Sequence, residues 1–576
     1  MGEREMSTPG ASIVIRNGLV VDGTGSAPYL GEVRLDGDRI AAVGPHVDAT
    51  GAEVVDVSGR IVTPGFVDPH SHFDGQVTWD GELGPTSWHG VTTTVMGNCG
   101  VGFAPVRPDA HEFLIGLMEG VEDIPGTALH EGITWGWESF PEYLDIVASR
   151  RRTIDVAAQI PHGALRFYVM GSRAVDGSAP TDDDVATMGR LVREAIEAGA
   201  VGFSTNRLPS HRAKDGTPVP GTYASADELL ASARGVKAGG HGLVQVTGAV
   251  AMGDNIDYAR QEIELYGQLS IDSDVPVMFS VTEINQDPDL WRRQLDWVDE
   301  WNANGARLIV QTHGRPTGLV VDWRAFNPFA GRPSHDALSD LSFDDRLARL
   351  RDRRTREAIL DEEAVGGNHR MSLLTKLWGS VYPMADGPAF EPEADESIAA
   401  RAAAAGRSPE AVLYDAMCAG SLQLSLGGYR HGDLSSTYGL LSHPATVLGL
   451  ADGGAHCSII CDSSMPSFLL QHWVRDRSRG PKISLADGVH MLSGRPAAVY
   501  GFADRGRLVA GARADVNVID LDSLTLGVPE FLHDLPTGAP RVVQRASGYD
   551  LTFCAGEITF RAGVPTGALP GVLVRA

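Results

Sequence analysis

Eight short apolar runs, alternating with stretches of helical pattern, constrain the middle of this chain more than any other feature. They read PGFVDPHSH, VTTTVMGNCG, TIDVAAQIPHG, AVGFSTN, HGLVQVTG, VPVMFSV, ARLIVQTHG and TVLGLADGG. Between them lie sequences such as DDVATMGRLVREAIEAG and LWRRQLDWVDEWNANG, whose pattern is helical. Eight strand–helix units predict an α/β fold, a (β/α)8 barrel. The near-continuous apolar character of the runs fits parallel strands buried on both faces.

The two ends have a different texture. ASIVIRNGLVVDGTG, GEVRLDGDRIAAVG and AEVVDVSGRIVTPG at the start are β-branched runs broken by Asn-Gly, Asp-Gly and Ser-Gly turns. GRLVAGARADVNVIDLD and YDLTFCAGEITFRAG repeat that texture at the end. Because domain termini often lie close together, both ends are expected to build one small β-domain. The expected division is residues 1–62 and 504–576 for that domain and 63–503 for the barrel. An insertion at about 320–440 separates strands seven and eight. From there it would project over the C-terminal mouth as a lid or substrate wall.

The net charge of −26 argues against nucleic acid, whose phosphates need a basic surface, and against an anionic membrane surface. No run approaches the length of a membrane helix. Five irregularly spaced cysteines read as reduced thiols, and the opening MGEREMSTPG lacks the apolar core of a secretory signal. The expectation is a soluble cytoplasmic protein acting on a small molecule. Its oligomeric state is left open, a homo-oligomer included.

Barrel active sites sit at the C-terminal strand ends, and ligating residues collect there in this sequence. His70 and His72 follow strand one at i and i+2, a spacing that turns both to one side. Imidazole pairs of this kind suit a divalent metal. Cys99, after strand two and flanked by glycine, adds a thiolate donor. Asp452, after strand eight, is read as the catalytic carboxylate, taking a proton from the attacking water and passing it to the leaving group. An Asx turn is its bland alternative. His162 and His456 are candidate substrate contacts, with structural roles as the alternative.

PGFVDPHSHFD, GVTTTVMGNCGVGFAPV, EGVEDIPGTAL, WESFPEYLD, PHGALR and SHPATVLGLADGG together resemble the amidohydrolase superfamily, in its D-aminoacylase branch. The resemblance spans nearly the whole chain. It implies a (β/α)8 barrel with a small β-sandwich, and metal-dependent hydrolysis of a C–N bond, by default in an N-acyl-D-amino acid. It also implies metal-binding roles for His70, His72 and Cys99 and a catalytic role for Asp452. Two positions depart from the branch. Gln245 stands near the place of a strand-five histidine, and Val281, Thr282 and Glu283 replace His-His-Lys at strand six. Strand four offers no lysine to bridge two ions.

The expected donors are therefore His70, His72, Cys99 and Asp452, helped by Gln245, around one divalent ion, zinc. His241 and His313 stand in reserve. Glu283, an acid where the branch holds a substrate carboxylate, motivates an alternative substrate: a neutral amide, lactam or cyclic amide. A non-catalytic small-molecule-binding barrel is the alternative from another class.

Overall fold

The computed structural model describes residues 12–251, 253, 256–366, 377–384, 390–429 and 432–575. The opening MGEREMSTPG lies outside the described residues. All eight apolar runs form strands of one sheet. They are β6 (Phe66–Asp68), β7 (Val91–Met96), β8 (Asp155–Pro161), β9 (Gly202–Asn206), β10 (Leu243–Thr247), β11 (Val277–Ser280), β12 (Leu308–Thr312) and β16 (Thr446–Leu448). Their order is β16-β12-β11-β10-β9-β8-β7-β6, and every neighbouring pair is parallel. A parallel bridge between Ser71 and Gly453 joins the two end strands just past their C-terminal ends. There His72 N–H donates to the Gly453 carbonyl at 2.7 Å. The barrel is thus closed at its mouth.

Side chains alternate across the barrel wall as strand geometry requires. Val156, Ala158 and Ile160 of β8 join the core shared with helix residues such as Leu144 and Leu165. Ala157 instead joins Val67, Val95, Leu243, Met278 and Val447 in a second cluster, drawn from strands all round the barrel. That cluster is the apolar interior, and Tyr500, Phe502 and Val574 pack into it. Above it, three glutamines with the same inward parity, Gln159, Gln245 and Gln311, are fully buried.

The terminal segments form a nine-stranded sheet in which β1 (Ser12–Val20) to β5 (Ile61–Pro64) share ladders with β17 (Val516–Ile519) and β20 (Tyr549–Cys554) to β22 (Val564–Pro565). β5 pairs antiparallel with β17 and leads through Gly65 straight into β6. A Cβ on Gly65 would lie 2.1 Å from Thr92 Oγ1, so only glycine permits this close approach. Ile15, Val33, Ile40, Val518 and Phe553 meet in one core across the sheet. The hairpin of β18 (Thr525–Leu535) and β19 (Ala539–Ser547) leaves that sheet. It packs on the loop after β16 instead, Val542 N–H donating to the Cys457 carbonyl at 2.6 Å.

Between β12 and β16 the chain builds an antiparallel sheet ordered β13-β15-β14, from β13 (Thr317–Val321), β14 (Val381–Pro383) and β15 (Leu422–Gly427). This sheet has its own core of Trp323, Phe326, Phe329 and Tyr414. It presents Thr317, Leu319 and Leu426 to the barrel mouth.

Candidate active site

β6 ends at Asp68, and the chain continues as an extended rim. Asp68 Oδ1 accepts the His70 backbone N–H at 3.1 Å, and Ser71 Oγ donates to the Val95 carbonyl at 2.9 Å. Ser71 is thereby turned into the wall; His70 lines the cavity, and the His72 ring centroid lies 5.3 Å from that of His70. Gln311 Oε1 lies 2.8 Å from His70 Nδ1. As the acceptor there it places the ring proton on Nδ1 and leaves the Nε2 lone pair free for a ligand.

Cys99 arrives from β7 through a tight turn. Its own φ is +57°, and Gly100 beside it has φ +69° with Asn206 N only 2.7 Å from where a Cβ would sit. Gln245 Oε1 accepts the Cys99 backbone N–H at 3.0 Å. After β16, Leu450, Asp452 and His456 also adopt positive φ, at 61°, 48° and 47°. Non-glycine residues held in this region cost about 1–3 kcal/mol each, and such strain collects at functional sites.

The donor atoms form a connected set. Cys99 Sγ is 3.4 Å from His70 Nε2, which is 3.2 Å from Asp452 Oδ1; that oxygen is 3.7 Å from His72 Nε2. Ligands on one tetrahedral zinc, with bonds of 2.0–2.3 Å, stand about 3.3–3.6 Å apart. The His70, His72 and Cys99 donors all lie within 4.8 Å of one another. Both ring nitrogens of His72, which is 1% exposed, lack a hydrogen-bond partner among the described residues. A buried imidazole in that state lacks the partner its burial demands, and an ion would supply it. The residues present therefore fit a divalent cation.

Electrostatics point the same way. Burial pushes the Asp452 carboxyl up to about 6 and Asp68 and Asp74 up to about 7. It lowers His70 to about 4 and holds His72 well below the ordinary histidine value. It also raises the Cys99 thiol. Among the described residues no arginine or lysine forms an ion pair with Asp452. The centre is a nest of acids and imidazoles that lacks positive charge; a cation reverses the rise at the carboxyls and the thiol, and suits imidazoles already held neutral.

The structure brings His70, Cys99, Asp452 and His456 to one cavity of about 240 Å³, with His72 buried just behind its lining, 3.7 Å from Asp452 Oδ1. It places three other expected residues elsewhere. Gln245 spends its oxygen on the Cys99 backbone and so braces the turn rather than adding a ligand. His162 has both ring nitrogens engaged, with Thr205 Oγ1 at 2.8 Å and Glu228 Oε1 at 3.0 Å, and does not line the cavity. Glu283 accepts the Ser436 hydroxyl at 2.6 Å, while its neighbour Thr282 lines the cavity. Successive residues leaving a strand face opposite ways, so Thr282 turns inward and Glu283 toward the insertion. Of the reserve ligands, His313 lines the cavity, whereas His241 lies before β10 with Nε2 3.0 Å from the Ala200 carbonyl.

Three further residues belong to this site. His211, from the loop after β9, lines the cavity, and burial and neighbouring histidines lower it to about 3. Gln311 orients His70. Glu122 ends the helix His111–Glu122, with Oε2 3.5 Å from both His72 Nε2 and His456 Nε2. Signals existed for two of them. A glutamine interrupts three apolar strands at VAAQIP, LVQVT and LIVQT, and Glu122 lies within EGVEDIPGTAL. The far wall of the cavity is apolar, built from Leu208, Leu319, Leu426, Ile459 and Ile460.

Comparison with known proteins bears on the family of the chain. The amidohydrolase family profile matches residues 53–560. A D-aminoacylase of Alcaligenes xylosoxydans xylosoxydans is 28% identical over 566 residues, covering 98% of this chain and 97% of the relative. The N-acyl-D-aspartate deacylase of the same organism is 26% identical over 520 residues, covering 89% and 87%. Among solved structures, a D-aminoacylase superposes with a TM-score of 0.65 at 21% identity, covering 98% of this chain and 99% of that one. The N-acyl-D-glutamate deacylase of Bordetella bronchiseptica, complexed with zinc and a phosphonate inhibitor, does so with a TM-score of 0.65 at 23% identity and the same coverage. The chain belongs to the amidohydrolase family and is a metal-dependent hydrolase of carbon–nitrogen bonds other than peptide bonds.

Proposed function

We propose that this chain hydrolyses the amide bond of an N-acyl-D-amino acid, using one divalent ion, zinc, held by His70, His72, Cys99 and Asp452. The observation that carries the reading is the unbroken run of donors from Cys99 through His70 and Asp452 to His72, at 3.2–3.7 Å spacing. When bound, the ion acidifies the attacking water and polarises the amide carbonyl. Asp452 takes the proton from that water and returns it to the departing nitrogen. Gln311 and Gln245 keep His70 and Cys99 in place, and the apolar wall receives an apolar acyl group or side chain. His456 and His211, across the cavity, offer imidazoles to the substrate. The five free cysteines suit a reducing cytoplasm.

A second reading of the substrate is a neutral amide, lactam or cyclic amide. It is favoured by the described cavity lining, which holds the carboxylates Glu122, Asp452 and Asp462 and no arginine or lysine. N-acyl-D-amino acids, their L-enantiomers and matching neutral amides, assayed on zinc-loaded protein, decide the matter. Turnover of D-carboxylates at least tenfold above the others is expected. Equal or better turnover of neutral amides replaces the first reading with the second. Full turnover by Asp452→Asn with metal still bound removes the proton-transfer role.

A further inference from the structure

We propose that Glu122 is a ligand of the divalent ion, supplying a carboxylate donor from outside the barrel strands. The proposal rests on the metal-dependent reading of the site above. In this chain strands five and six offer Gln245 and Thr282 at the mouth, and neither adds an imidazole to the donor set.

Glu122 is 1% exposed, yet it lines the active cavity. Its Oε1 has no hydrogen-bond partner among the described residues. Its Oε2 stands 3.5 Å from His72 Nε2, the edge length expected between two ligands of one ion. The same oxygen is 3.5 Å from His456 Nε2. His72 itself has no hydrogen-bond partner at either ring nitrogen among the described residues. Two buried groups of complementary chemistry thus face each other at the separation two ligands of one ion keep.

The position is costly without one. Glu122 is the last residue of its helix, where the backbone carbonyls already concentrate negative charge. Among the described residues no arginine or lysine pairs with it. The chain nonetheless builds a brace to hold it there. The Glu122 carbonyl accepts His456 N–H. Asp123 Oδ2 accepts the Ser458 backbone N–H at 3.1 Å and its hydroxyl at 2.6 Å. The loop that carries Asp452 is thereby clasped to the helix end that carries Glu122.

Chelator-stripped protein titrated calorimetrically with Zn²⁺, with melting temperatures taken with and without zinc, tests the proposal. Wild type, Glu122→Gln and the exposed control Glu131→Gln are compared. Glu122→Gln is expected to bind zinc about tenfold or more weaker and to lose most of the zinc-induced rise in melting temperature. Without zinc it is expected to melt at or above wild type, because a buried unpaired acid has been made neutral. Zinc affinity within twofold of wild type overturns the proposal. So does a lowered melting temperature without zinc together with an intact zinc-induced rise, which marks Glu122 as a structural brace. Wild type that binds no zinc overturns the metal-dependent reading and the proposal together. Glu122→Asp keeps the charge but shortens its reach, and covers a Gln variant that fails to fold. Undiminished zinc binding by Glu122→Asp overturns the proposal as well.

Discussion

The two ends of the barrel both bury charge, and they treat it in opposite ways. At the N-terminal end Asp155 lies between two arginines, with Oδ2 2.6 Å from an Arg505 nitrogen and Oδ1 2.9 Å from an Arg513 nitrogen. Its Oδ1 also accepts the Val572 backbone N–H at 2.7 Å. At the C-terminal mouth the ion-pair partners of Asp452 and Glu122 are imidazoles alone among the described residues, and His72 has no hydrogen-bond partner there. The first arrangement sets two guanidinium groups against its buried acid and staples the C-terminal segment under the barrel. The second is incomplete in one specific respect, a missing positive charge. A buried ion pair that lacks nothing holds a fold together; a buried cluster that lacks a cation is organised to receive one.

The contrast is broken or sharpened by four measurements. The largest effect is expected at Asp452. Asp452→Asn should lower kcat by about 10²–10⁴-fold, the usual range for loss of a positioned acid–base group, while metal content stays near wild type. Elemental analysis alongside steady-state kinetics separates the two. At the other end Arg513→Met leaves Asp155 with one guanidinium fewer. Stability to urea should fall by about 3 kcal/mol, at the lower limit for breaking a buried pair because Arg505 remains, with zinc affinity unchanged. An unchanged stability would show that the lower cluster is not the staple it resembles.

Gln311→Leu should weaken zinc binding by about 10–100-fold, because His70 loses the acceptor that sets its tautomer. Titration of the stripped protein checks this, and unaltered affinity would assign the His70–Gln311 contact to packing alone. The smallest effect is a pH limb of stability. Glu391 accepts from Arg477 and from the Leu434 backbone N–H and lies 3.3 Å from His472 Nε2; although burial raises its carboxyl, these partners hold it at about 2. A carboxyl lowered from 4.5 in the unfolded chain stabilises the fold above that pH, and the contribution is lost as pH falls from 4.5 toward 2. Denaturation midpoints of wild type should drop more steeply over that window than those of Glu391→Gln. Parallel slopes would remove Glu391 from the account.

Legibility in the sequence followed range. The strands were legible because a parallel strand buried on both faces is near-continuously apolar or β-branched, a texture the eight runs keep, apart from inward polar residues such as Gln159, Gln245 and Gln311. His70 and His72 were legible because two residues apart on an extended rim means one side, which needs no knowledge of the fold. Cys99 and Asp452 were legible as residues at strand ends. Glu283 was misread because a strand end does not reveal which of two neighbours turns inward; the insertion, through Ser436, captures it. His162 was misread for a related reason. Glu228, 66 residues later, brings the acid that satisfies it.

By itself, then, the sequence determined the barrel, the joint β-domain texture of its ends and the period-2 histidine pair, all consequences of local periodicity. Only the tertiary structure decided that Glu122 at a helix end meets His72 of strand one, and that Gln311 of strand seven orients His70. It also decided that Gln245 braces Cys99 instead of joining it as a donor. Each of those depends on closing the barrel, which brings residues as far as 241 positions apart to within 3.5 Å of one another. No local pattern encodes which of the inward-facing polar side chains will find a partner and which will be left facing the cavity.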